Sequence, residues 1–174
     1  MKKFVIFYCH GGGYNTGSFH YARSITNKLS SSTSMDVLSF DYRLAPEYSY
    51  PAAPEDAMAV WDYLMYLGYG ARDVIVAGDS AGGNLALSLV LKLKEQKRIL
   101  PRGLILFSPW TDLTGSGKSY VTKGDVDPIL TREYLDNAIA AYASGQDLKN
   151  PLISPLFGDL TGFPPTYIQV GSNE

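Results

Sequence analysis

The sequence predicts an α/β fold in which an open parallel sheet carries helices on both of its faces. Short apolar runs alternate along the chain with longer segments of helical periodicity, a rhythm that is typical of βαβ units. The apolar runs are almost continuous rather than alternating, as in strands that are covered on both faces. Right-handed crossovers between such strands would place helices on both sides of the sheet.

Five apolar segments are predicted to form the strands. They are rich in Val, Ile, Leu, Phe and Tyr, which favour extended structure. The first of them is too short for a signal peptide and lacks a small-residue cleavage site, so we interpret it as a buried strand. In chain order the predicted strands cover residues 4–9, 37–40, 74–77, 104–107 and 167–170.

Four helices are predicted in the intervening segments. Ser18 can act as an N-cap for the first, Pro54 suits the first turn of the second, and Thr131 or Leu130 stands near the start of the fourth. The third has leucines at every fourth position, which places them on one helix face. The glycine- and serine-rich stretch 108–127 is expected to be a long surface loop. The predicted helices cover residues 19–29, 54–67, 81–96 and 131–143.

Composition excludes several classes of protein. The 174 residues include 15 Lys and Arg and 17 Asp and Glu, a net charge of -2, which argues against binding driven by nucleic-acid phosphates. The sequence has a single cysteine, two histidines and no H-E-x-x-H pattern. It therefore predicts no disulfide framework, no metal site and no other cofactor. No apolar run reaches the roughly 18 residues of a membrane span. We therefore expect a cytoplasmic protein with Cys9 as an inert, buried thiol.

The strongest chemical signal is the run Gly78-Asp79-Ser80-Ala81-Gly82, which matches G-x-S-x-G. It stands directly after the third predicted strand and directly before the third helix, the context of a nucleophile elbow. Glycines at both flanks relieve crowding in a tight turn, and the helix N-terminus favours a developing anion. This motif predicts Ser80 as a nucleophile, the alternative being a glycine-rich turn with an incidental serine.

A second signal, His10-Gly11-Gly12-Gly13-Tyr14, ends the first strand. Successive glycines let backbone N–H groups face a site and, with the N–H of Ala81, could form an oxyanion hole. A flexible loop or a phosphate-binding loop is the alternative, but neither common phosphate-loop pattern is present. His10 is expected to brace this loop by hydrogen bonding rather than to act as a base.

The two motifs together resemble the hormone-sensitive-lipase-like esterases of the α/β-hydrolase fold. The resemblance extends over essentially the whole chain in family order, and implies a partial α/β-hydrolase domain at residues 1–174. It also implies hydrolysis of carboxylic esters, commonly with short acyl chains, by a serine, an acid and a histidine in that order. Its further segments are Asp41-Tyr42-Arg43-Leu44-Ala45-Pro46-Glu47, Tyr50-Pro51-Ala52-Ala53, Glu55-Asp56, Ser108-Pro109-Trp110-Thr111-Asp112-Leu113 and Ser154-Pro155-Leu156.

The resemblance assigns roles to residues of this sequence. Ser80 would be the nucleophile. The N–H groups of Gly11, Gly12 and Ala81 would form the oxyanion hole, with Gly13 shaping the loop. Asp79 is not a triad position in the family, and we interpret it as a solvated or turn-bracing carboxylate. The residues that would support the site are His10, Tyr14, Gly78, Asp79 and Gly82.

The acid and base are less well matched. The family places a carboxylate in the turn after the fifth predicted strand, and Glu174 is the candidate because the Asn173 amide cannot carry a negative charge. Asp127-Pro128 is interpreted as a turn and helix start. The triad histidine is absent: His10 belongs to the glycine loop, and His20 comes too early and is expected to face solvent. Without a base, the serine hydroxyl is a weak nucleophile.

The family also has earlier strands, a helical cap, and a final strand with its histidine turn. The sequence therefore looks like the central portion of a longer protein, with little or no turnover alone. Its sheet edges would be exposed and could pair in a homo-oligomer. The predicted partner is a small-molecule ester. The alternatives are a non-catalytic small-molecule-binding module on the same fold, and a split enzyme whose histidine another chain donates.

Overall fold

The computed structural model describes residues 4–124, 126–127 and 129–173. Two short 3₁₀ turns, Ala71–Asp73 and Pro155–Phe157, accompany the main elements. The strands are β1 (Val5–Cys9), β2 (Asp36–Ser39), β3 (Val74–Asp79), β4 (Gly103–Phe107) and β5 (Thr166–Gln169). The helices are α1 (Arg23–Thr33), α2 (Ala52–Tyr66), α3 (Ala81–Glu95), α4 (Ser119–Thr122) and α5 (Arg132–Tyr142).

The five strands form one sheet in the order β2-β1-β3-β4-β5, and every neighbouring pair is parallel. The predicted α/β fold with an open parallel sheet is confirmed. In register, Cys9 lies beside Gly78, and Asp79 lies beside Phe107. The carboxyl ends of β1, β3 and β4 therefore meet at one edge of the sheet, where sites of open α/β folds form.

Alternate residues of β1 contribute to two separate hydrophobic clusters, as the period of a strand requires. Val5, Phe7 and Cys9 belong to the larger cluster, which includes the apolar faces of α2 and α3. Ile6 and Tyr8 belong to the smaller cluster, which α1 covers through its N-terminal neighbour Ala22. Helices thus cover both faces of the central strands, as predicted.

The edge strand β5 departs from this pattern. All four of its residues are exposed, and 58% of Tyr167 and 56% of Ile168 are accessible. The prediction from its apolar sequence that both of its faces are covered is therefore wrong for the described part of the chain. An apolar run predicts a strand, but it does not predict which elements pack against that strand. The other edge strand, β2, is half-buried at three of its four residues.

The start of α1 is a second correction. Ser18 does not cap this helix, which begins at Arg23 after Ala22. The Ser18 hydroxyl instead accepts a hydrogen bond from the Tyr21 N–H at 3.2 Å. A serine that bonds an amide three residues on makes the same contact in an isolated turn as at an N-cap, so the sequence signal was ambiguous.

The other helices lie close to their predicted positions. α2 begins at Ala52, two residues before the predicted start, so Pro54 still lies in its first turn. The Thr131 side chain caps α5 by accepting from the Tyr134 N–H at 3.1 Å. α3 extends from Ala81 to Glu95 and ends one residue before the predicted boundary. In these helices the apolar period and the end signals agree.

The stretch 108–127 is more structured than the predicted surface loop. It contains α4, and its Asp112 side chain is buried. The Asp112 carboxylate accepts hydrogen bonds from the backbone N–H and hydroxyl groups of both Thr114 and Ser116, at 2.6 to 2.9 Å. Burial opposes ionisation, but these four bonds outweigh it and lower the pKa of Asp112. A charged Asp112 thus holds the start of this segment.

Among the described residues, no helix combines the length and apolar character needed to cross a membrane.

The close packing of β1 against α3 gives a stability prediction. A Cβ atom at Gly82 would lie 2.1 Å from the Cys9 carbonyl oxygen and 2.4 Å from that of His10. Gly82→Ala gains about 1 kcal/mol of helix propensity. It must also move the helix away from the strand backbone, and we expect a net loss of about 2 kcal/mol or more. Urea unfolding measures this loss.

The matched control is Gly117→Ala, where the nearest atom would be Cδ2 of Tyr120 at 3.5 Å, an ordinary contact. Its free energy of unfolding should stay within about 0.5 kcal/mol of the parent value, as for a typical surface substitution. Equal stabilities of the two variants would show that β1 and α3 do not pack this closely.

Candidate active site

Ser80 occupies a strained turn between β3 and α3. Its backbone angles are φ 52° and ψ -121°, a region that non-glycine residues rarely adopt, at a cost of about 1–3 kcal/mol. Three hydrogen bonds hold both of its peptide groups. The Ser80 N–H donates to the Phe107 carbonyl at 3.0 Å, and the N–H groups of Asn84 and Trp110 donate to the Ser80 carbonyl at 3.1 and 3.0 Å. The expected strand, turn and helix are all present around this serine.

The glycines that flank Ser80 allow the turn to lie against the end of β1. A Cβ atom at Gly78 would be 2.4 Å from the Gly82 carbonyl oxygen and 2.8 Å from that of Cys9. Gly82 makes a still closer approach to the same strand. Both glycines are therefore required by contact with neighbouring backbone, and this contact brings the elbow next to the glycine loop that follows β1.

The glycine loop reverses direction through successive left-handed residues. The φ angles of Gly12, Gly13 and Tyr14 are 120°, 62° and 64°. The Gly12 carbonyl accepts from the N–H groups of Asn15 at 3.1 Å and Thr16 at 2.9 Å, which closes the turn. Within the described residues, the N–H groups of Gly12, Gly13 and Ala81 donate to no acceptor of the protein. These three amides are the candidates for binding a ligand oxygen.

Gly11 requires a correction. Its N–H donates to Oδ1 of Asp79 at 2.9 Å, so it cannot serve as the oxyanion donor that the sequence suggested. The same oxygen accepts from the Tyr8 hydroxyl at 2.8 Å. Burial and then the Asp79 charge raise the pKa of Tyr8 far above its usual range, so the phenol stays a donor. Asp79 therefore joins the elbow to the glycine loop, which fits the turn-bracing interpretation.

His10 is fully buried at the base of the glycine loop. Its Nδ1 lies 2.8 Å from the Gly11 carbonyl oxygen, so this nitrogen carries the proton. The ring stacks on Tyr42 at 4.2 Å, and the Tyr42 hydroxyl donates to the His10 carbonyl at 2.7 Å. Burial lowers the pKa of His10 and outweighs the opposing effects of the Gly11 carbonyl, Asp41 and Asp79. The ring is thus a neutral part of the loop.

The other candidate acid and base residues lie apart from these contacts. His20 is exposed, and its ring lies 4.0 Å from that of Phe19. Glu174 lies outside the described residues. Asp127 accepts from the N–H groups of Ile129 and Leu130, each at 2.9 Å, as in the predicted turn, but it does not start a helix, because α5 begins at Arg132 with Thr131 as its N-cap. In the described ranges, no histidine or carboxylate bonds to the Ser80 hydroxyl, and no cluster of three metal-ligating side chains occurs.

The family-like segment from Asp41 braces the site from outside. The Asp41 carboxylate accepts from the Phe19 N–H at 2.7 Å and so holds the chain that leaves the glycine loop. Arg43 pairs with Asp56 of α2 at 2.8 Å and with Glu55 at 3.1 Å. The sequence signalled that Arg43 would need a partner, but only the fold identifies these carboxylates.

Sequence reasoning missed Asn84, a fully buried amide in the first turn of α3. Its side chain bonds to the glycine loop through Tyr14 and to the backbone of Trp110 and Ile153. A polar residue among the apolar residues of α3, four positions after Ser80, was an available signal. Buried amides need hydrogen-bond partners, so its position in the pattern pointed to a structural role.

Comparison with protein families and curated proteins identifies similar chains. A family model described as alpha/beta hydrolase fold matches residues 6–174. An esterase of Acinetobacter venetianus is 43% identical over 172 residues, which is 98% of this chain and 56% of that protein. An acetyl-hydrolase of Streptomyces hygroscopicus is 39% identical over 170 residues, which is 98% of this chain and 57% of that protein. The chain thus spans a little over half the length of these relatives.

Solved structures agree with this result. An esterase from the bacterial hormone-sensitive lipase family is 37% identical with a TM-score of 0.95, covering 98% of this chain and 58% of its own. A hormone-sensitive lipase from a metagenome library is 42% identical with a TM-score of 0.95, covering 98% of this chain and 59% of its own. The match extends over the strands, the glycine loop and the elbow together.

The buried neutral ring of His10 gives a prediction for pH. Unfolded His10 binds a proton as the pH falls through the ordinary pKa of 6.5, whereas the folded ring resists protonation because its pKa is lowered. Stability is therefore full above pH 6.5 and is lost as the pH falls below it. His10→Asn keeps a donor for the Gly11 carbonyl but does not titrate, so its stability should depend less on pH in that window.

Chemical unfolding between pH 7.5 and about pH 5 compares the parent chain with the variant. His20→Asn is the matched control, because it replaces the exposed histidine and leaves the buried ring of His10 in place. Parallel curves for the parent and His10→Asn would contradict a buried neutral His10.

Proposed function

The chain belongs to the alpha/beta hydrolase fold family, and from that premise we propose that it acts in the hydrolysis of carboxylic esters, with Ser80 as the nucleophile. The observation that carries the proposal is the strained Ser80 turn next to a loop with unpaired amides. The names of two relatives, an esterase and an acetyl-hydrolase, support an ester with a short acyl group as substrate.

In the proposed acylation step, Oγ of Ser80 attacks the ester carbonyl carbon and its proton passes to a base. The carbonyl π electrons move to oxygen and form a tetrahedral oxyanion. When this intermediate collapses, the C–O bond to the alcohol breaks and the alcohol leaves with the proton. Water then attacks the acyl-enzyme in the same way, and releases the carboxylic acid and free Ser80.

The oxyanion would be stabilised by the N–H groups of Gly12, Gly13 and Ala81. None of the three has a protein acceptor in the described ranges, and the amide of Ala81 stands at the N-terminus of α3. The helix dipole adds favourable potential at this position. Loss of one such donor typically raises the barrier by about 3 kcal/mol. Backbone amides are suited to this task because they are fixed before the charge develops.

We propose that neither histidine of the sequence is the base for Ser80. His10 holds its Nδ1 proton on the Gly11 carbonyl inside the buried loop, and His20 is exposed beside Phe19. Without a base, loss of activity on the order of a millionfold is expected, as in serine proteases that lack a triad member. Glu174 stays the predicted triad acid, and cytoplasmic location and homo-oligomers also stay predictions.

A role limited to binding small molecules explains less of the geometry. The Ser80 backbone holds about 1–3 kcal/mol of strain that a pure binding site would not need. A nucleophile needs that strain, because the sharp turn presents the hydroxyl beside amides at the start of a helix. The strained turn therefore favours acyl transfer over simple binding.

Chemical rescue tests the proposal. Imidazole in solution can replace an absent histidine, so it should accelerate acylation of Ser80 by p-nitrophenyl acetate in the parent chain. Intact-mass measurement should detect one added acetyl group, and p-nitrophenolate release should exceed that of Ser80→Ala at the same imidazole concentration. The comparison with Ser80→Ala removes direct hydrolysis by imidazole.

The matched control is Ser108→Ala, since Ser108 also has a positive φ, 43°, directly after a strand of the same sheet. This variant should acylate like the parent chain. Absence of acetyl-Ser80 at every imidazole concentration, together with no labelling by a fluorophosphonate probe, would refute Ser80 as an activated nucleophile and support the binding module.

A further inference from the structure

The side chain of Asn84 connects three segments around the elbow. Its Oδ1 accepts from the Tyr14 hydroxyl at 2.7 Å, and its Nδ2 donates to the carbonyl oxygens of Trp110 at 2.6 Å and Ile153 at 2.8 Å. The side chain is fully buried, so both of its polar atoms are satisfied by protein alone. The Ser88 hydroxyl also donates to Oδ1 at 3.4 Å, and a buried amide with four partners fixes their relative positions more firmly than an apolar side chain could.

Asn84 is also fixed relative to the nucleophile. Its backbone N–H donates to the Ser80 carbonyl at 3.1 Å, within the first turn of α3. Trp110 completes a small ring of contacts, because its N–H donates to the same Ser80 carbonyl at 3.0 Å while its own carbonyl accepts from Asn84. Asn84 therefore links the Ser80 backbone to Tyr14 through one residue.

Tyr14 is the residue of the glycine loop that binds Asn84. It follows Gly13 and has a φ of 64°, which is unfavourable for a residue with a side chain. Its ring stacks on Tyr142 with centroids 3.8 Å apart, and its carbonyl accepts from the Ala45 N–H at 2.9 Å. A glycine would adopt this φ without strain, so the gain from a tyrosine lies in the contacts of its ring and hydroxyl.

We propose that Tyr14 and Asn84 form a positioning pair that sets where the amides of Gly12 and Gly13 lie relative to Ser80. The loop is held at its other end by Asp79, which binds the Gly11 N–H. The two residues that hold the loop, at positions 79 and 84, stand on either side of the nucleophile in sequence. The effect of the pair on acylation rests on the proposed function. The claim that the pair fixes the position of the glycine loop does not.

Tyr14→Phe tests the pair, because it removes only the hydroxyl and keeps the stacked ring. Amide hydrogen exchange of Asn15 and Thr16, whose N–H groups donate to the Gly12 carbonyl, should accelerate at least roughly 10-fold by NMR as the loop opens. Imidazole-supported acylation of Ser80 by p-nitrophenyl acetate should fall roughly 10- to 100-fold at saturating ester, with an unchanged half-saturating concentration. The loss then lies in the chemical step and not in ester binding.

Ser30→Ala is the matched control. The half-buried Ser30 hydroxyl donates to the Met35 carbonyl at 2.8 Å, directly before β2 and at the end of the sheet opposite the elbow. This variant also loses a hydroxyl from a half-buried hydrogen bond. Its loop exchange and acylation rate should equal those of the parent chain, even if its melting temperature falls as far as that of Tyr14→Phe.

The outcomes separate the two claims. If loop exchange is faster in Tyr14→Phe but the parent chain never forms acetyl-Ser80, the positioning pair is supported and the proposed function is refuted. Faster exchange with slower acylation supports both. Unchanged exchange and acylation in Tyr14→Phe overturn the pair, and so do equal effects in Tyr14→Phe and Ser30→Ala, which would show a general structural role.

Discussion

The candidate site depends on the close approach of two backbones, the end of β1 and the first turn of α3. The distance of 2.1 Å from a hypothetical Gly82 Cβ to the Cys9 carbonyl oxygen means that only glycine fits. The residues that follow the end of β1 form the glycine loop, and the residue that precedes the start of α3 is Ser80. One packing contact therefore places the nucleophile candidate beside the unpaired amides.

This arrangement stores strain that the surrounding residues must offset. Ser80 and Tyr14 each have a positive φ, at about 1–3 kcal/mol apiece. A single hydrogen bond contributes only about 1 kcal/mol net, so one contact would not hold either residue. The structure provides several: three bonds to the Ser80 backbone, and the Asn84 bond and stacked ring for Tyr14. The polar residues around the elbow are thus explained by the strain that they offset.

Features governed by local pattern could be predicted from the sequence. The apolar runs predicted five parallel strands, and the glycine motifs identified the elbow, because only glycine permits such close contacts. Features set by partners distant in sequence could not be predicted. The Gly11 amide was expected to face the site, but its acceptor is a carboxylate 68 residues away. The sequence indicated only that Asn84 lies in a helix, whereas the fold shows that its side chain bonds to Tyr14, Trp110 and Ile153. The exposure of β5 depends on which elements pack against it, and no short window of sequence contains that information.

The candidate site separates two tasks that serine hydrolases perform together. Holding a nucleophile beside fixed amides needs a set backbone geometry. The ends of β1 and β3 and the start of α3 supply it here, and the side chains of Asp79, Tyr14 and Asn84 brace the loop. Proton transfer needs a side chain that titrates near neutral pH within reach of Ser80, and the contacts of both histidines lie elsewhere. When a base is removed from a serine hydrolase, the oxyanion hole and binding alone still retain roughly 10³- to 10⁴-fold catalysis over water. Under the proposed function, the amides of Gly12, Gly13 and Ala81 would have a catalytic value of their own, and the strain and buried polar contacts of this region would preserve that geometry.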